Sequence, residues 1–257
     1  MALYIIGIGL HDKKDITVKG LEAVKRCSEV YLENYTSRLA CPIDELEQFY
    51  GKKVVLADRE FVEQRFEREV LPRAEGKDIA LLIIGDVFSA TTHVSVMLEA
   101  KKAGVETVVV NNASVLTAVG VTGLSLYNFG KVTSIPFGNK DVEAPYDVIK
   151  SNDSLHTLVL LDLDPSKGKF MLAAEAIQFL LGVEDKRKEK VFTKNRKCVV
   201  CCDLGSIDPE IAYGSAQELL KKKFSRLPQC LIVPGKLHFM EEDFIQNYYN
   251  NIDQTKN

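Results

Sequence analysis

Short apolar runs alternate with longer amphipathic stretches along most of this chain. The run "ALYIIGIGL" reads as a strand, and "ITVKGLEAVKRC" as a helix whose N-cap is Asp15 or Thr17. "EVYLEN" reads as a second strand, "IDELEQFYG" as a helix closed by Gly51, and "KKVVLA" as a strand. "FVEQRFEREVLPRAEG" is a helical pattern interrupted by Pro72. "DIALLIIGD" is the strongest strand pattern; "THVSVMLEAKKAG" follows as a helix ending at Gly104, then "VETVVVNN" as a strand. After "NNAS" the alternation restarts. It predicts a helix over Val115 to Val121, a strand over Lys131 to Pro136, a strand in "LHTLVLLDLD" and a helix in "AAEAIQFLLGVED". A strand in "KCVVCCDL", a helix in "YGSAQELLKKKF", a strand in "QCLIVPG" and a polar helix complete the order. The tail after Asn250 is polar and is expected to fray. Alternation of this kind predicts an α/β fold with mostly parallel sheets. The restart after "NNAS" divides it into an N-terminal α/β lobe, 1–111, and a C-terminal α/β lobe, 112–257, without a long flexible linker.

Composition narrows the class. The 257 residues suffice for one large domain or two smaller ones, each with a core. Hydrophobic content of 46% and charged content of 27% are ordinary for a soluble globular protein. The net charge of -3 gives no global basic field, so no direct nucleic-acid partner is expected. Runs such as Ile79 to Ile84 are far too short to cross a bilayer, and no secretion signal or membrane partner is expected. Cys198 and Cys201 are spaced C-x-x-C with Cys202 beside them. On a strand, positions i and i+3 point to opposite faces, and no second pair stands at zinc-ribbon spacing. The expectation is buried reduced thiols in a cytoplasmic protein, with no metal. The one charge run, Glu184 to Lys197, reads as a solvated loop or a partner contact.

Four stretches carry candidate chemistry. In "GIGLHDKKD", Gly7 and Gly9 match the first two positions of a dinucleotide fingerprint. Asp12 occupies the third position, where only a small residue lets helix and strand pack closely, so the glycines read as a tight exit from a buried strand. In "LLIIGDVFSATTH", Asp86 sits at the carboxyl end of a buried strand, where α/β sheets place ligands; Ser89, Thr91 and Thr92 add hydroxyls. That stretch is either a site or an ordinary capped loop. "NNASVLTAVGVTGL" is rich in small residues and reads as a hinge or a cleft wall. In "CLIVPGKLHFME", His238 is a base or a structural histidine. The four histidines do not group as metal ligands.

Taken in order, "GIGLHDKKDITVKGLEAVKRCSEVYLENYTS", "GDVFSATTH", "NNASVLTAVGVTGLSLYNFGK", "LHTLVLLDLD" and "LIVPGKLH" resemble the tetrapyrrole-methylase-type, or class III, S-adenosylmethionine methyltransferases, and most closely their diphthine synthase branch. The resemblance runs from Leu3 to about Glu242. It implies two α/β lobes with S-adenosylmethionine in a cleft between them, and a homodimer. It implies a protein substrate, elongation factor 2, whose 3-amino-3-carboxypropyl-histidine is methylated repeatedly on its amine. Carried over by motif, it implies donor contacts at Leu10, Asp86, Ser89, Ser114, Val115 and Leu161, with Leu204 and Gln229 as further matches. It names no catalytic acid or base. Val87 stands where the family usually has proline, Asp203 where it often has arginine, and Gln229 where histidine is common. Methylation of a tetrapyrrole or of ribosomal RNA, or a non-catalytic donor-binding adaptor, are the other readings this pattern allows.

Overall fold

The computed structural model describes the backbone of residues 1–252 and the side chains of residues 1–249, so the expectation for the tail beyond Asn250 falls outside the described side chains. The chain divides into two compact units, Met1–Leu116 with Asp164–Gly168, and Thr117–Leu163 with Lys169–Asn257.

In the first unit, strand β1 (Ala2–Gly7) leads to helix α1 (Val18–Arg26), β2 (Glu29–Glu33), α2 (Ile43–Tyr50) and β3 (Val55–Ala57). A π-helical turn, Phe61–Arg65, runs into α3 (Phe66–Glu69) and α4 (Leu71–Ala74), with the break at Val70 just before Pro72. Then come β4 (Ile79–Ile83), α5 (Val94–Lys102), β5 (Glu106–Val110) and the short α6 (Val115–Ala118). The sheet order is β3-β2-β4-β1-β5, and every ladder is parallel. A parallel sheet covered on both faces reads as unbroken apolar sequence, and all five residues of β4 are buried. Leu3, Ile5, Ile79, Leu81 and Ile83 join one core with Phe66, Leu71 and Val96; Ile6, Ala80 and Leu82 join the other with Val24 and Leu46. Each such fully buried Leu, Ile, Val or Phe side chain contributes about 1.5–3 kcal/mol.

Local signals explain the helix ends. Thr17 caps α1, its Oγ1 accepting the Gly20 N–H at 3.0 Å, and Lys25 and Arg26 lie at the negative end of the helix dipole. Gly51 closes α2 in the left-handed region at φ 67°. At Gly20 a Cβ would meet Ile6 Cγ2 at 3.1 Å, so α1 lies closely on β1.

The second unit contains β6 (Thr133–Ile135), α7 (Ala144–Asn152), β7 (Thr157–Leu161), and the short strands β8 (Leu163–Asp164, whose Asp164 belongs to the first unit) and β9 (Lys169–Phe170). It continues with α8 (Ala173–Arg187), β10 (Lys197–Cys202), β11 (Glu210–Ser215), α9 (Ala216–Leu219), β12 (Gln229–Val233) and α10 (Phe239–Ile252). Its sheet order is β11-β10-β12-β7-β6. Only β6 and β7 pair in parallel; the other three ladders are antiparallel. Parallel pairing therefore predominates over the two sheets but is concentrated in the first. The stretch "YGSAQELLKKKF" is not one helix: Tyr213–Ser215 end β11, and Ser215 starts α9 with a reciprocal cap to Glu218. Helix α7, with Pro145 in its first turn, is an element the apolar pattern did not indicate. Cys198 and Cys202 lie in the core under α8, and Cys201 points to the opposite face beside Cys230; all six cysteines are free.

Candidate functional site

Three strand ends meet at the carboxyl edge of the first sheet. Gly9 and Gly85 exchange backbone hydrogen bonds, Gly9 N to Gly85 O at 3.3 Å and Gly85 N to Gly9 O at 2.7 Å. Both have left-handed φ, 81° and 89°, which an L side chain resists. At Gly7 a Cβ would stand 2.7 Å from Gly85 O, and at Gly9 it would stand 2.3 Å from Asp15 Cβ. Gly7 is thus required by the close approach of the β1 and β4 exits, and Gly9 by its positive φ and the turn that Asp15 closes on it. Asp15 is not the helix cap; its Oδ2 accepts the N–H groups of His11 and Asp12 at 2.6 and 3.2 Å and closes the turn after Gly9. Asn112, just past β5, ties in the third end by donating Nδ2 to Gly7 O at 2.9 Å and Asp15 O at 3.0 Å.

Asp86 is the hub of this edge. Its Oδ1 accepts from Phe88 N at 3.1 Å and Ser89 Oγ at 3.2 Å. Its Oδ2 accepts from Asn111 Nδ2 at 3.1 Å and Asn112 N at 3.0 Å. A carboxylate has about four acceptor positions, so all are filled from within the unit. Burial alone would raise the Asp86 pKa, but the N–H groups of Asn112 and Phe88, with Asn111 and Ser89, outweigh it and hold the carboxyl below its usual value. Ser89 is therefore turned toward Asp86. Ser114 is buried, and its Oγ accepts the Leu116 N–H at 3.2 Å at the start of α6, whose first residue is the half-buried Val115. A methyl added at Gly85 would lie 3.8 Å from Leu10 Cδ2 and 3.9 Å from Ala113 O. Leu10, Asp86, Ser89, Ser114 and Val115 accordingly lie at one sheet edge, with Leu10 and the Ala113 carbonyl beside the open backbone of Gly85. An apolar side chain, open glycine backbone and nearby carbonyl suit a ligand with both apolar and polar parts.

Leu161, Leu204 and Gln229 belong to the second unit. Leu161 ends β7, beside the Leu160–Cys230 pair; Gln229 pairs with Cys202; Leu204 follows two residues later. They share one end of the second sheet. The Gln229 side chain is buried and engaged: Oε1 accepts the Ala173 N–H at 2.8 Å, and Nε2 donates to Phe224 O at 3.4 Å and Arg226 O at 3.1 Å. It holds the first turn of α8 and the loop after α9. Asp162 is likewise used locally, accepting from Phe137 N and Leu163 N, both at 2.9 Å.

Two buried polar networks escape sequence reasoning. Glu33, at the end of β2, accepts from Tyr35 N at 2.6 Å, Thr36 N at 2.7 Å and the Thr36 hydroxyl, and its Oε2 lies 3.9 Å from His93 Nε2. Ala40 N donates to His11 O at 2.7 Å, so the loop after β2 is joined to the same edge as Leu10. In the second unit, Glu241 Oε1 accepts from Ser125 N at 2.8 Å, Asn128 Nδ2 at 3.4 Å and His156 Nε2 at 3.2 Å. Its Oε2 accepts from His238 N at 2.8 Å. His156 Nδ1 accepts the Gly235 N–H at 3.0 Å, which places the imidazole proton on Nε2. The His238 imidazole is exposed, and its backbone, not its ring, enters this network. The partners stand 60 and 85 residues apart in sequence, and no local spacing announces them.

Among the described residues no helix is long and apolar enough to cross a membrane, and no cluster of His, Cys, Asp and Glu could hold a metal ion. The model of the tetrapyrrole (corrin/porphyrin) methylases matches residues 2–220. The diphthine synthase of Methanococcus vannielii is 43% identical over 255 residues, covering 97% of this chain and all of the relative. The diphthine synthase of Methanococcus aeolicus is 41% identical over 257 residues, covering 98% of this chain and all of the relative. A crystal structure of diphthine synthase superposes with a TM-score of 0.89 at 36% identity, over 97% of this chain and 96% of that one.

Proposed function

Because the chain belongs to the tetrapyrrole methylase family and, within it, to the diphthine synthases, we propose that it is an S-adenosylmethionine-dependent methyltransferase of diphthamide biosynthesis. Its substrate is the 3-amino-3-carboxypropyl-histidine of elongation factor 2, and it methylates the amine of that arm repeatedly. The observation that carries this reading is the end-to-end match to diphthine synthases at above 40% identity.

The donor, when bound, supplies a methyl carbon on a positively charged sulfur that leaves as a neutral thioether. The chain's own task is to hold, align and keep dry. On this reading Leu10 and the backbone of 113–115 line the donor, while Asp86 keeps the β4 exit and residues 111–112 in one conformation. Alignment of this kind is worth up to about 7–11 kcal/mol of the barrier. No side chain is needed as a strong base, since an α-amino group with a pKa of about 8 is partly neutral near pH 7. The saturated carboxylate of Asp86 and the locally engaged one of Asp162 agree with that. Each methylation before the last leaves a nitrogen lone pair; the trimethylammonium has none, so nitrogen methylation stops there.

Intact mass spectrometry of elongation factor 2 tests the assignment. The protein with S-adenosylmethionine adds up to three base-stable methyl groups when the histidine bears the arm, and none to bare histidine. A fourth methyl would sit on the carboxylate and be lost to mild alkaline hydrolysis. Methylation of bare histidine, or of a tetrapyrrole at a comparable rate, overturns it.

A further inference from the structure

Charge in the second unit is segregated. Residues 186–226 carry eleven Lys or Arg against five Asp or Glu, whereas the rest of that unit carries six against twelve. The three arginines of the stretch are engaged: Arg187 with Asp147 at 2.6 Å and Glu189, Arg196 with Pro234 O at 2.9 Å, and Arg226 with Asp208 at 2.8 Å. The lysines differ. Lys194, Lys221, Lys222 and Lys223 are exposed, and among the described residues none has an ion pair or a side-chain hydrogen bond. They are also gathered. Gln217 N donates to Lys194 O at 3.0 Å and Gln217 Nε2 to Asn195 Oδ1 at 3.1 Å, so Lys194 lies against α9, and Lys221 to Lys223 follow within about one helical turn. The same loop is fastened at its other end to Gln229, which holds the carbonyls of Phe224 and Arg226. Gln229 lies at the candidate end of the sheet.

We propose that this lysine strip, Lys194 with Lys221 to Lys223, is the docking surface for an acidic face of the protein substrate. The inference rests on the functional reading above and adds to it where the substrate is gripped. Two observations favour an acidic protein over a nucleic acid. No ring of the stretch is free to stack on a base: Phe192 is buried, Phe224 packs on the core and Tyr213 stacks on Tyr249. The guanidinium forks that suit phosphate are all committed internally, leaving mobile ammonium groups that attract carboxylates and steer encounter. The strip also tethers the substrate outside the reacting centre, where charge changes the rate of encounter more than the rate of chemistry.

The test is steady-state methyl transfer to elongation factor 2 bearing the aminocarboxypropyl arm, by wild type and by the triple variant Lys221→Glu, Lys222→Glu, Lys223→Glu. The expected result is a KM for the protein substrate raised about tenfold or more at low salt, with kcat unchanged and with the same thermal shift on adding S-adenosylhomocysteine. The two enzymes should converge near 0.5 M salt, where charges more than about 4 Å apart are screened. A Lys194→Glu variant should move KM in the same direction by a smaller factor. Equal KM values and equal salt dependence overturn the proposal. So does a gel-shift with single-stranded RNA that the triple variant loses while its KM stays at the wild-type value. Absence of transfer by wild type would refute the functional reading itself, and the docking surface with it.

Discussion

Replacing Glu241 by glutamine should cost far more than an isosteric exchange ordinarily does. The carboxylate is 1% exposed and accepts four hydrogen bonds, three at Oε1 and one at Oε2 from the His238 N–H. Burial alone would raise its pKa. The backbone N–H groups of His238 and Ser125, with His156, reverse that and bring it from 4.5 to about 2. A displacement of that size corresponds to about 3 kcal/mol in favour of the charged form in the folded state. Because the folded value is the lower one, this stability is fully present above pH 4.5 and is lost as the pH falls toward 2. Glutamine keeps one acceptor for Ser125 and His156, but its amide nitrogen must face the His238 N–H, donor against donor. Urea unfolding followed by circular dichroism, at pH 7, 5 and 3, measures the consequence. The variant should be less stable by about 3 kcal/mol at pH 7 and at pH 5, with the gap narrowing markedly at pH 3. A gap below about 1 kcal/mol at pH 7, or one independent of pH, would refute the network account.

Donor binding by calorimetry with S-adenosylhomocysteine should be of micromolar order, with no comparable heat from NAD or ATP. Asp86→Ala should weaken it by about 1–3 kcal/mol, the cost of freeing four donors, and Asp86→Asn should lose nearly as much because an amide cannot accept at both positions; wild-type affinity in either variant would make Asp86 irrelevant to the donor. Gly9→Ala should lower the melting temperature by several degrees, since a Cβ at φ 81° collides with Asp15, and an unchanged melting curve contradicts the packing argument. Light scattering at micromolar concentration should give twice the monomer mass, as a two-fold dimer requires; a monomer mass rejects that assembly.

The first unit was readable because its sheet is parallel and covered on both faces. Runs such as Ile79–Ile83 have no polar register to confuse, and Thr17, Gly51 and Gly104 mark helix ends by their own chemistry. The second unit was harder. Glu210–Ser215 is an edge strand whose first four residues are only half-buried, so its apolar signal is weak and the capped Ser215–Leu219 turn dominated the reading. At the candidate site, the glycine exits and the position of Asp86 at a strand end could be anticipated. The direction in which Asp86 turns its acceptors could not, because Asn111 and Asn112 follow the end of β5, 25 and 26 residues away. Glu33 and Glu241 were invisible for the same reason: what makes a buried carboxylate tolerable is its set of donors, and the tertiary structure assembles that set.

Strand β1 is the second in from one side of its sheet, between β4 and β5, and pairs with nothing encoded before residue 79. A ribosome adding about 5–20 residues per second needs several seconds to deliver β4 after β1 has been made. Through that interval Leu3, Ile5 and Ile6 have no partner strand, and β2 can pair only with the short β3. The nascent chain therefore carries an unsatisfied apolar segment in β1 until residues 79–83 have been translated. That delay, rather than the stability of the finished sheet, sets the earliest point at which β1 can be buried between partner strands.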